Sequence, residues 1–255
     1  MPQNVEALLA AAQSRLQSGD AVAARELLHE AAQAHSLRAA VQLGIWELAG
    51  LGGPADTAAA VRRLRAAAEL GDATACSLYA QLVAAGADGL QRDFGAAVAW
   101  LVRAAAAGDR RAATQLAMLL PADAEGSGDR LALARSAAMA GEPIARAFVA
   151  QWPAAATEWT VDWDRVREHV RLPHERPLPT PVVRSQAPRI AAMHQLFTRD
   201  ECIYVALKGL PLLRPARVAV QDGGSAVNPM RSNDAAKFGL LEADVMMQSL
   251  DVRVA

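Results

Sequence analysis

The 255-residue sequence is poor in cysteine, in charge of one sign and in long apolar runs, and each absence removes a class of protein. Cys76 and Cys202 are its only cysteines; they lie far apart, outside any CxxC or Cys/His cluster, and read as ordinary thiols in a reducing compartment. With 26 basic and 27 acidic side chains, the net charge of −1 offers no electrostatic footprint for nucleic acid or an anionic membrane. Met1 to Ala12 has no basic start before its short apolar stretch, and no uncharged apolar run approaches the ~20 residues of a spanning helix. A cytoplasmic protein without nucleic-acid or membrane partners is expected.

Catalytic signatures are missing too. The sequence has no phosphate loop GxxxxGK(S/T), no GxSxG and no SxxK, and the glycines at 50 to 53 follow a helix, not the strand a dinucleotide loop requires. Its histidines are His29, His35, His169, His174 and His194; His29-Glu30 and His174-Glu175 are not part of HExxH, and both read as lone surface histidines. No catalytic, cofactor-binding or metal-ligating residue is assigned.

What the sequence does hold is a repeat. Three segments end alike, in Arg65-Ala-Ala-Ala-Glu-Leu-Gly71-Asp72, Arg103-Ala-Ala-Ala-Ala-Gly108-Asp109 and Ser136-Ala-Ala-Met-Ala-Gly141-Glu142. Gly71 to Gly108 is 37 positions and Gly108 to Gly141 is 33, the near-constant period of a repeat array, with an echo in Glu30-Ala-Ala-Gln-Ala-His35-Ser36. Ala40, Leu43, Gly44, Glu47 and Leu48 fall at helical spacing, as do Ala60, Leu64, Ala67 and Ala68, so each unit is a helix pair. Gly71, Gly108 and Gly141 can close second helices in the left-handed conformation, while Gly50, Gly52 and Gly53, or Gly86 and Gly89, break the chain within a unit. Alanines at facing positions let neighbouring pairs stack into a superhelix.

These residues carry a resemblance to the Sel-one-like repeats, relatives of the tetratricopeptide repeat. It rests on Leu43-Gly44, Ala59-Ala60 and the Arg65 to Asp72 ending, and more fully on Leu78-Tyr79, Gly86, Gly89, Asp93, Ala96-Ala97, Trp100-Leu101 and Ala104 to Asp109. The third unit, Leu116 to Glu142, is a shortened copy, and the likeness spans roughly residues 20 to 145. The resemblance implies protein or peptide binding, or architecture. Trp46, Tyr79 and Trp100 are then either a protein-binding face or inter-repeat core. Arg62, Arg63 and Arg65 read as a solvated outer face.

The pattern changes near Trp152, Trp159 and Trp163. Val161 to Arg171 is expected to form a helix capping the array, and Pro173, Pro177, Pro179, Pro181 and Pro188 an extended connector able to hold neither helix nor central strand. Arg189 to Leu196 is strand-like; Thr198-Arg-Asp-Glu201 is a capping-box start for a helix to about Gly209. Arg217 to Val220 is a short strand, Asp222 to Ser225 a turn, and a last helix starts near Glu242. The expected class is mainly α: a superhelical repeat solenoid with a capping helix (1–171), a proline-rich linker (172–188) and an α+β segment (189–255).

That last segment resembles the leading portion of the prolyl 4-hydroxylase family of iron- and 2-oxoglutarate-dependent oxygenases. The matching residues are Pro188-Arg189-Ile190, Leu196-Phe197-Thr198, Glu201-Cys202, Asp222-Gly223 and Asn228-Pro229-x-Arg231-Ser232. The resemblance implies iron(II) and 2-oxoglutarate in a jelly-roll barrel that follows these elements. Its iron ligands begin as His-x-Asp, yet this sequence has no His-x-Asp or His-x-Glu and ends at Ala255, where the barrel strands should begin. Arg231 is assigned a structural salt bridge. A binding scaffold of hydroxylase lineage, truncated and without the iron triad, is therefore expected; the alternative is the N-terminal portion of an active hydroxylase. Surface meant for an absent barrel would invite a homodimer through the C-terminal segment, or another partner.

Overall fold

The computed structural model describes residues 2–122, 127–152, 159–219, 225–227 and 234–255. Asp222, Gly223 and the Asn228 to Ser232 motif, Arg231 included, lie outside them. Four antiparallel helix pairs come first: α1 (Pro2–Gln17) with α2 (Ala21–Gln33), α3 (Leu37–Ala49) with α4 (Thr57–Glu69), α5 (Ala73–Ala85) with α6 (Phe94–Ala106), and α7 (Arg110–Leu119) with α8 (Ser127–Met139). A short successor, α9 (Pro143–Val149), packs on α8.

The repeated Gly-Asp doublet is the joint between units. Gly71, Gly108 and Gly141 sit at φ of 88°, 92° and 90°, where a side chain would be strained. The following Asp72, Asp109 and Glu142 each accept a hydrogen bond from the amide three residues on, at 2.8, 2.7 and 2.7 Å. Such N-caps are each worth about 1 kcal/mol. The echo at His35-Ser36 is the same joint in other residues: His35 takes the left-handed conformation and Ser36 caps α3, so a complete unit precedes the three expected ones.

Each helix from α2 to α7 buries at least one leucine almost fully: Leu28, Leu43, Leu64, Leu82, Leu101, and Leu116 with Leu119. Burying each contributes about 2 kcal/mol. Alanines such as Ala60, Ala68, Ala75, Ala97, Ala104 and Ala112 fill the facing positions without holding the helices apart. At Gly44 a Cβ would lie 2.9 Å from Leu64 Cγ, so the closeness of α3 and α4 is what requires glycine there. Arg63, half-buried and not on the solvated face with Arg62 and Arg65, binds buried Glu47 through both carboxylate oxygens at 3.2 and 3.1 Å.

The expected capping helix is α10 (Trp163–His169). It is tied to α8 by Asp129, whose carboxylate receives Arg165, the Trp159 indole N–H and the Asp162 amide. The proline run differs from a simple connector. A 3-10 turn (Pro173–Glu175) leads to β1 (Val182–Gln186), which pairs antiparallel with β2 (Arg189–Ala192) around a two-residue turn. The prolines at 177, 179 and 181 precede β1, and Pro188 occupies the turn, so none has to donate to the ladder.

Helix α11 (Arg199–Gly209) begins with the expected capping box: Thr198 Oγ1 accepts from the Glu201 amide and Glu201 Oε2 from the Thr198 amide. Then β3 (Arg214–Pro215) pairs with β6 (Asp234–Ala235), and β4 (Arg217–Ala219) with β5 (Ser225–Val227); among the described residues no sheet exceeds two strands. The final α12 (Val245–Val254) returns to the array and packs on α5, α6 and α7. Val245, Met246, Leu250 and Tyr204 share one apolar core with the repeat helices, and the described part of 189–255 shows no separate core.

Candidate protein-binding groove

The first helix of each unit turns residues at the sixth and ninth positions after its cap to one side. Of these, Ile45 on α3, Leu78 and Gln81 on α5, and Gln115 on α7 form one wall of a groove. Opposite runs the returning C-terminal segment, with Leu207, Lys208 and Pro211 at the end of α11 and Leu241 to Asp244 before α12. Between them lies a cavity of about 570 Å³, floored by Pro143 and Ile144 of α9.

Side-chain amides hold the two walls together. Gln115 Oε1 accepts from the Val245 amide at 3.0 Å, and Gln81 Nε2 donates to the Leu240 carbonyl. Asp244 caps α12 and accepts from Tyr204 Oη at 2.6 Å and Lys208 Nζ at 2.8 Å. Burial first, then the carboxylates of Asp244 and Glu142, push the Tyr204 phenol well above its ordinary range, against the opposing pull of Arg111. Tyr204 is a neutral donor at any ordinary pH, fixing Asp244 in place.

The other wall carboxylates are committed as well. Asp109 and Glu142 cap helices, and Glu242 accepts from the Gly239 amide at 2.9 Å. Exposed Arg111, on the first turn of α7, lines the groove with no ion pair among the described residues. Apolar walls with one uncommitted cation suit the capture of an extended apolar segment better than bond making.

The aromatic residues singled out in the sequence are not brought together on this wall. Trp46 and Tyr79 are only 5% and 7% exposed, Trp46 in the core of the first units and Tyr79 edge-on to Trp100 at 5.3 Å. Trp100 is half-buried under the Arg103 guanidinium, 4.2 Å from its ring centre. His174 is likewise no surface residue: its Nδ1 lies 2.8 Å from Ser249 Oγ and its ring stacks on Phe94. Apart from Leu78, Asp109 and Glu142, the groove residues lie outside the sequence motifs; a constant offset from the capping residue of each first helix would have found Ile45, Leu78, Gln81 and Gln115.

Among the described residues no helix is long and apolar enough to cross a membrane. No family model matches the chain, and no curated protein does. Solved structures do. A Sel1 repeat protein from Oxalobacter formigenes is 23% identical with a TM-score of 0.51, over 64% of this chain and 69% of that one. The protein c5321, a protective antigen of uropathogenic Escherichia coli strains displaying an SLR fold, is 22% identical with a TM-score of 0.47, over 56% of this chain and 32% of that one. The first likeness, together with the capped helix pairs, shows that the helical array has the Sel1-repeat fold.

Proposed function

We propose that this chain is a scaffold that binds a segment of another protein in the groove between its first helices and its own C-terminal segment. The observation that carries the reading is an open, apolar-walled cavity whose carboxylates are all engaged, leaving Arg111 to meet a ligand. The buried thiol of Cys76 and the exposed one of Cys202 are unpaired and suit a cytoplasmic setting. Selection of a random displayed-peptide library on the purified chain tests the reading. Peptides recovered should lose affinity at least about tenfold on Leu78→Glu or Leu207→Glu, since each buries a charge against an apolar ligand, and keep it on Arg62→Ala. Peptides that bind all three variants equally would place binding elsewhere.

We infer, further, that residues 189–255 descend from the leading part of a prolyl 4-hydroxylase-like domain. The order of hairpin, capping-box helix and short strands supports this. The described residues do not fit an iron site: no three His, Cys, Asp or Glu side chains converge, His174 is engaged by Ser249, and His194 Nε2 lies 3.1 Å from Arg184. Anaerobic titration with iron(II) and 2-oxoglutarate is expected to give no charge-transfer absorbance. A clear band would show that the chain completes the site after all.

A further inference from the structure

The β1–β2 hairpin stands apart from the groove, and its two outer edges are unlike. Along β1 the register break at Arg184 disturbs the ladder, and the prolines at 177, 179 and 181 keep it from being extended toward the N-terminus, devices that blunt an edge. Beside β2, nothing of the kind is present: Arg189 to Met193 contains no proline and no bulge, and among the described residues no other strand pairs with it. A lone two-stranded hairpin is marginal in water. This one leaves Val182, Val183, Ile190 and Met193 between 43% and 52% exposed.

Its charge is one-sided. From Pro177 to Thr198 the chain has Arg184 and Arg189 and no carboxylate. Neither arginine has an acidic partner among the described residues; Arg184 meets only His194. The nearby acids are spent elsewhere, Asp200 on Arg130 and Glu201 on Arg176. A second copy of the hairpin would bring like charges side by side, which disfavours self-pairing.

We propose that the open edge of β2 takes an extended, acidic segment of a partner protein as a third strand, with Arg184 and Arg189 recognising its carboxylates. Backbone pairing supplies the docking and the arginines the selection.

Fluorescence anisotropy of the full chain with three labelled peptides tests this: alternating glutamate and valine, alternating lysine and valine, and the glutamate–valine sequence with every backbone amide N-methylated. The first should bind, and more weakly as salt rises. The second lacks the charge and the third the ladder donors, so neither should bind. Arg184→Glu with Arg189→Glu, both at exposed positions, should weaken the glutamate–valine peptide at least about tenfold and admit the lysine–valine one. The groove substitution Leu78→Glu should change neither result, which separates this surface from the groove. Failure of the glutamate–valine peptide to bind, equal binding of the N-methylated peptide, or sedimentation as a dimer that the double substitution dissociates would each overturn the proposal.

Discussion

Replacing Arg253 with methionine is expected to cost about 3 kcal/mol and to free the C-terminal helix before the rest of the chain unfolds. Arg253 is buried near the end of α12, and its guanidinium finds carbonyls where a carboxylate would be usual. Nε donates to Leu196 O at 2.8 Å, Nη1 to Pro173 O at 2.9 Å and Arg176 O at 2.6 Å, and Nη2 to Pro177 O at 3.0 Å. The rigid fork thus joins the last helix, the proline-rich stretch and the bend leading to α11 at one point. Methionine fills much of the aliphatic volume, so the loss comes from carbonyls left without donors. Lysine keeps the charge but cannot span the four acceptors, and should recover only part of the stability. Urea midpoints give the total, and hydrogen exchange over 245–254 shows whether α12 opens first. A loss below about 1 kcal/mol would mean that water replaces the fork at little cost.

That dependence explains which parts of the molecule were legible in the sequence. The joints were legible because they are local: a glycine that must turn left-handed and an acid that must cap the next helix are fixed by two adjacent residues, as is the Thr198–Glu201 box. His35-Ser36 does the same work in a less common alphabet, so the first unit showed only as an echo. The return of α12 is held by Gln81, Gln115 and Arg253 against backbone atoms, and a carbonyl acceptor leaves no trace in residue identity. The hairpin was hidden because its prolines sit just outside the paired positions. The groove was hidden in another way. Aromatic side chains draw the eye, yet Trp46 and Tyr79 are what the units pack with, and the open surface falls to Leu78, Ile144 and Leu207.

At the far end of the array, Asp129→Asn is expected to remove about 3 kcal/mol at pH 7, and much less in acid. The Asp129 side chain is 1% exposed. Oδ2 takes Arg165 Nε at 2.5 Å; Oδ1 takes Arg165 Nη2, the Trp159 indole at 2.8 Å and the Asp162 amide at 3.0 Å. Burial pushes this carboxyl up, but the hydrogen bonds from Arg165, Trp159 and Asp162, with the charge of Arg165, outweigh it and hold it below its ordinary value. A carboxyl lowered in the folded state contributes stability in full above its unfolded value, about 3.9, and loses it as pH falls through the lower folded one. Asparagine carries no charge to lose, and its amide N–H₂ would face the Arg165 donors. Urea midpoints followed from neutral pH into acid should therefore start far apart and converge below about pH 4. Curves that stay parallel would mean that shape, and not charge, seals α10 onto α8. Convergence would identify the Asp129 cluster as an electrostatic lock between α10 and α8.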